Sequence, residues 1–124
     1  MSTDPTSRLR MICRGLPEVT ERPSHGTPAW FVRGKRMFAQ LWHRGHHDEE
    51  FPQLWCAAPL GAQEESIALD PRRYFRPPYV GHRGWIGLRL DGEPDWDEIA
   101  DRCEDAYRFV APAKLVSQLD RDGG

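Results

Sequence analysis

The chain predicts an α+β domain in which a twisted antiparallel sheet carries its helices on one face. Three observations carry that expectation. Helical periodicity marks the two ends of the chain, two-residue alternation marks its middle, and strands and helices do not alternate as parallel-sheet units would require. A length of 124 residues fits one domain. Residues 1–119 are assigned to that domain and 120–124 to a disordered tail.

Asp4-Pro5 opens the first helix, a capping carboxylate followed by a proline at the first helical position. Leu9, Ile12, Cys13 and Leu16 then give one apolar face, and Gly15 with Pro17 ends the element. The stretch from Pro23 to Pro28 reads as a loop or irregular strand. Ala29–Val32 and Met37–Trp42 form a hairpin that turns at Arg33-Gly34-Lys35-Arg36. His43 to Glu50 is polar and reads as a second, longer hairpin loop, and Gln53 to Ala58 is the next strand, closed by Pro59. Ala62–Leu69 suits a short helix. Trp85–Leu90 alternates, with Ile86, Leu88 and Leu90 on one face. Asp91-Gly92 turns the chain, and Asp95 with Glu98 resembles a capping box. The helix they open places Trp96, Ile99, Cys103, Ala106, Tyr107 and Val110 on one stripe. Pro112 stops it, and Lys114–Leu119 adds one turn or two.

Formal net charge is −2, from 17 basic and 19 acidic residues. That balance argues against tight non-specific binding to nucleic acid, which requires many cations on phosphates. The charge is segregated, however: residues 8–36 and 72–89 are basic, whereas 48–50, 64–65 and 91–105 are acidic. Cys13, Cys56 and Cys103 are odd in number and far apart, which fits buried thiols in a reducing cytoplasm better than disulfides or a zinc site. No apolar run reaches membrane-spanning length and no signal-peptide core opens the chain, so a cytoplasmic protein without a membrane partner is expected.

The segment from Pro71 to Trp85 combines fixed proline angles with arginines and aromatics, a composition suited to phosphates and stacked bases. Arg72, Arg73, Arg76, His82 and Arg83, with Tyr74, Phe75 and Tyr79, make the first candidate surface, and Arg33, Lys35 and Arg36 of the hairpin a second positive point. The same arginines equally suit ion pairs with the acidic helix, which carries Asp95, Asp97, Glu98, Asp101, Glu104 and Asp105. His43, His46 and His47 beside Asp48, Glu49 and Glu50 are of metal-ligand type, but they lie within one loop and read first as a solvated turn. His25, between prolines, reads as a loop-bend residue rather than a general base.

Several segments in order resemble the MmcQ/YjbR family: Leu16-Pro17-Glu18-Val19, the run from Ser24 to Val32, Lys35-Arg36-Met37-Phe38-Ala39, the run from Asp70 to Phe75, Pro78-Tyr79-Val80-Gly81, Gly84-Trp85-Ile86 and Ala106-Tyr107. Together they span roughly residues 5 to 119. The resemblance implies a small α+β fold related to the frataxin-like (CyaY-like) and secretion-chaperone-like architecture. It also implies DNA binding, with two protruding hairpins as wings, and it transfers no catalytic residue set. In frataxins acidic helical residues bind iron, whereas a charged solvent face explains the carboxylates here as well.

No nucleophile–base pair, phosphate loop or dependable metal set stands out. The expected function is therefore a non-enzymatic, cofactor-free binding protein with DNA as its partner, through Arg33, Lys35, Arg36, Arg72, Arg73, Arg76, His82 and Arg83. The alternative is a protein-interaction or small-ligand module.

Overall fold

A computed structural model describes residues 4–43 and 51–122. Its elements run α1 (Pro5–Arg14), β1 (Val19–Ser24), β2 (Thr27–Val32), β3 (Arg36–Trp42), β4 (Gln53–Cys56), α2 (Ala62–Leu69), β5 (Tyr74–Phe75), β6 (Ile86–Arg89), α3 (Trp96–Val110) and α4 (Ala113–Asp122). The strands form one antiparallel sheet in the order β1-β2-β3-β4-β6-β5. The α+β expectation holds.

Local signals set the helix ends. Asp4 accepts a hydrogen bond from the Ser7 backbone N–H at 3.1 Å, and Asp95 accepts from the N–H groups of Asp97 and Glu98 at 3.1 and 3.2 Å. Two strands were not expected. β1 is a polar edge strand whose Pro23 faces Pro28, a pairing an edge tolerates because neither N–H is needed inward. β5 is only two residues long and pairs Tyr74 with Leu88 and Phe75 with Gly87. The Phe75 ring lies over Gly87, where an added methyl group would come within 2.4 Å of it. β4 ends at Cys56 rather than Ala58. The tail expectation also changes: α4 continues to Asp122, and Asp120 accepts from Arg108 of α3 at 2.7 Å.

Trp30, Leu41, Leu54, Leu88, Ile99, Cys103 and Tyr107 are among the buried side chains between the sheet and helices α1 and α3. Phe38 meets Tyr107 edge-on at 5.8 Å. Glu21 of β1 ties α1 to this face. It accepts two bonds from Arg10 (2.8 and 2.7 Å) and one from the buried Trp30 indole (3.0 Å). Those hydrogen bonds from Arg10 hold the Glu21 carboxyl below its ordinary range, against the opposing effect of burial. Cys13, Cys56 and Cys103 are buried free thiols.

The opposite face of the sheet matters for function. Phe31 pairs with Met37 and Trp30 with Ala39, so the register skips Phe38. This β-bulge breaks the two-residue alternation and re-aims side chains. Phe38 thereby packs on Tyr107, while Met37 joins Gln40, Trp42 and the cross-strand neighbour Trp55 on the face away from α1 and α3. Over part of that face runs the chain from Phe75 to β6. It is held by Gln63 of α2, whose buried amide donates to Gly81 O at 2.9 Å and Trp85 O at 2.6 Å.

Candidate functional site

Two adjoining hollows occupy the face away from α1 and α3, and they share Met37. The larger, about 630 Å³, runs along β3 from Met37 past Gln40 to Trp42 and is completed by Trp55, Ser24, His25, Tyr79 and Val80. The smaller, about 330 Å³, lies at the β2–β3 turn and is lined by Phe31, Lys35, Arg36, Met37, Ala57, Arg83, Trp85, Phe109 and Val110. Among the described residues neither lining contains an Asp or Glu.

Two left-handed backbone positions contribute side chains to the aromatic hollow. His25-Gly26 forms the β1–β2 turn with consecutive left-handed residues (φ 53° and 78°), the arrangement a two-residue hairpin needs. Opposite it, Tyr79 also adopts a left-handed backbone (φ 64°), costly for a bulky residue, directly after two prolines. Its ring remains 65% exposed, while the preceding Pro77 is buried. The Trp42 and Trp55 rings meet at 4.8 Å with a 37° tilt. Gln40, 3% exposed, donates from its amide nitrogen to Ser24 O and Thr27 Oγ1, both at 2.9 Å. This fixes the amide and leaves its carbonyl oxygen as the acceptor.

The cationic hollow gathers Lys35 and Arg36 from the β2–β3 turn with Arg83 from a short 3₁₀ turn, Gly81–Arg83. Arg36 donates to Val110 O at 3.3 Å, and the Arg83 guanidinium stands 6.0 Å from the Trp85 ring. Among the described residues none of these three cations forms an ion pair.

The remaining candidates separate. Arg33 is neutralised by Glu18 at 3.0 Å. Arg72 and Arg73 line a different hollow of about 490 Å³ with Asp70, Pro71, Arg89 and Asp91. Arg89 lies opposite Gln53, and Gln53 opposite Trp42 at the end of β3, so this hollow sits at the end of the sheet away from the β2–β3 turn. Arg73 there donates to Arg89 O at 3.3 Å, and Arg89 pairs with Asp91 at 2.8 Å. The Arg76 stem packs on Gly81, where a methyl group would come within 2.6 Å of its Cγ, and His82 is exposed in the 3₁₀ turn. Eight residues expected to share one surface therefore divide, and only Lys35, Arg36 and Arg83 line a common hollow.

The aromatic half of that expectation also divides. Tyr74 is core, 2% exposed. Its hydroxyl donates to Glu98 and accepts from Arg102 Nε at 3.1 Å, and burial with the Glu98 bond raises its pKa to about 12. Phase partners for the acidic helix likewise differ from expectation. Glu98 takes Tyr74, Glu104 takes Arg108 of the same helix, and none of the loop arginines pairs with it. Among the described residues no three His, Cys, Asp or Glu side chains gather as a metal set. His43 lies 3.4–3.5 Å from Thr6 Oγ1, and the rest of its polar cluster, His46 to Glu50, falls outside the described residues.

Sequence reasoning found Tyr79 but did not assemble Met37, Gln40, Trp42 and Trp55 into a site. One signal was available: Gln40 is the one polar residue in the run from Met37 to Trp42. The bulge that aligns it with Met37 has no comparable signature.

A family model described as YjbR matches residues 14–109. The crystal structure of a Deinococcus radiodurans protein with a DUF419 domain is similar in fold, with a TM-score of 0.71 at 18% identity, over 93% of this chain and 87% of that one. No curated protein matches the sequence. Among the described residues no helix is long and apolar enough to cross a membrane.

Proposed function

The chain belongs to the YjbR family, and we propose that it is a non-enzymatic nucleic-acid-binding protein using the sheet face away from α1 and α3. One observation carries the reading. In a chain of net charge −2, two joined hollows hold Lys35, Arg36 and Arg83 beside Trp42, Trp55 and Tyr79, and among the described residues no carboxylate lines either. Cations supply phosphate contacts, and aromatic faces supply sequence-tolerant stacking. The Arg72–Arg73 hollow is a poorer phosphate site because Asp70 and Asp91 share it.

Few cations imply modest, salt-sensitive binding. Each phosphate contact contributes about 0.7 (single strand) to 0.9 (duplex) to the slope of log affinity against log salt. Changing Lys35, Arg36 and Arg83 together to Ala should lower that slope by roughly 2 or more. Changing Arg72 and Arg73 to Ala should leave it nearly intact. A mobility-shift titration across low-salt buffers measures both, and the reverse ranking would remove the assigned surface.

A second reading, a small-ligand or protein-interaction module, rests on the apolar walls Met37, Trp42, Trp55 and Val80 of the larger hollow. It prevails if the triple cation variant binds nucleic acid as the parent does, or if neither protein binds it.

A further inference from the structure

The two hollows differ in chemistry, and the difference specifies a ligand more narrowly than nucleic acid in general. Resting on the reading above, we propose that the larger hollow receives an unpaired base of a single strand while Lys35, Arg36 and Arg83 hold neighbouring phosphates. A duplex presents phosphates outward and keeps its bases stacked inside. It suits the cationic hollow but has nothing to insert beside Trp42 and Trp55.

Three features fit a base. The volume of about 630 Å³ lies within the range of small-ligand sites, and its walls are predominantly aromatic and apolar. Tyr79, 65% exposed, lines the hollow and adds a third aromatic ring to Trp42 and Trp55, so a planar group entering there meets aromatic surface. The buried Gln40 amide lines the hollow and has committed its nitrogen to Ser24 and Thr27, so its oxygen is the atom left to accept from an amino or imino N–H of a base. That acceptor joins Ser24 and His25 as the polar points of a mainly aromatic and apolar lining. Shared lining by Met37 places the phosphate and base hollows side by side, as successive parts of one strand require.

The test is a fluorescence-anisotropy titration of the full chain with three labelled probes: a short single-stranded oligonucleotide, the same strand made abasic throughout, and the matching duplex. The ordinary strand should bind about 5- to 150-fold more tightly than the abasic one, the range expected for one stacked base. Tyr79→Ala, at an exposed position, should bring the ordinary strand toward the abasic value without changing abasic binding. Trp42→Ala should do the same if it folds. Equal affinity for ordinary and abasic strands, preference for duplex, or an unchanged profile in Tyr79→Ala would overturn base capture. If those results came with a salt slope that still depended on Lys35, Arg36 and Arg83, the broader nucleic-acid reading would stand. Binding of none of the three probes would remove both.

Discussion

Glu21 is the side chain whose removal should most clearly separate hydrogen bonding from charge in this fold. It holds Arg10 of α1 through two bonds and the Trp30 indole N–H through a third, and Trp30 is fully buried. The Arg10–Glu21 pair is partly exposed (side chains 42% and 19%), so solvent screening limits it to about 0.2–1 kcal/mol. The orphaned indole N–H costs more, about 1–3 kcal/mol, because a buried donor loses its acceptor. Glu21→Ala should therefore lose about 1–4 kcal/mol, from a total of roughly 6–19 kcal/mol for a chain of this length. Arg10→Ala should lose no more than about 1 kcal/mol. Glu21→Gln, which keeps an acceptor for the indole, should fall between them.

Urea denaturation with an unchanged m-value gives each difference directly. The pH dependence adds a second readout. Because the folded carboxyl titrates below its ordinary value of 4.5, its stabilisation is complete above that pH and fades as pH falls through the lowered folded value. Arg10→Ala should flatten this acid limb. Were Arg10→Ala as damaging as Glu21→Ala, the indole bond would not be the larger contribution and the reasoning would fail.

Two further outcomes concern the supports of the site. Gln63→Ala removes the side-chain donor from Trp85 O and leaves Gly81 O with only the Gly84 N–H, so we expect a loss of about 1–3 kcal/mol and faster hydrogen exchange at Arg83 and Gly84; unchanged exchange there would show that the amide does not clamp the loop. Tyr74, with its pKa raised from 10.0 to about 12, stabilises the fold fully below pH 10, and that contribution is lost as pH rises toward 12. Tyr74→Phe should remove this alkaline loss together with the late-titrating part of the ultraviolet absorbance change, and loss instead of a phenol that titrates near 10 would contradict the assignment.

Much of the fold was legible because local chemistry and tertiary packing agree. The Asp4-Pro5 and Asp95 caps start their helices as expected, and the stripe from Ile99 to Val110 is the buried face of α3. β1 escaped notice because an edge strand with one solvated side does not alternate cleanly, and β5 because two residues carry no period. The site was harder to read for a different reason. Nearness in sequence is not nearness in space: the segment holding Arg72, Arg73 and Arg83 begins beside β5 and crosses the sheet, so its arginines reach different ends. The Phe38 bulge, which brings Met37 into line with Gln40, depends on pairing with β2 and has no signature within β3 itself.

The most direct measurement is an amide and indole ¹H–¹⁵N spectrum of the chain during titration with a single-stranded oligonucleotide. Resonances of Lys35, Arg36, Arg83 and Tyr79 and the Trp42 and Trp55 indoles should move together and saturate at one concentration, while Arg72, Arg73 and the Trp96 indole of α3 stay in place. Movement centred on Arg72 and Arg73, or on the α1–α3 side of the sheet, would contradict the assignment of ligand binding to the face that Met37 joins.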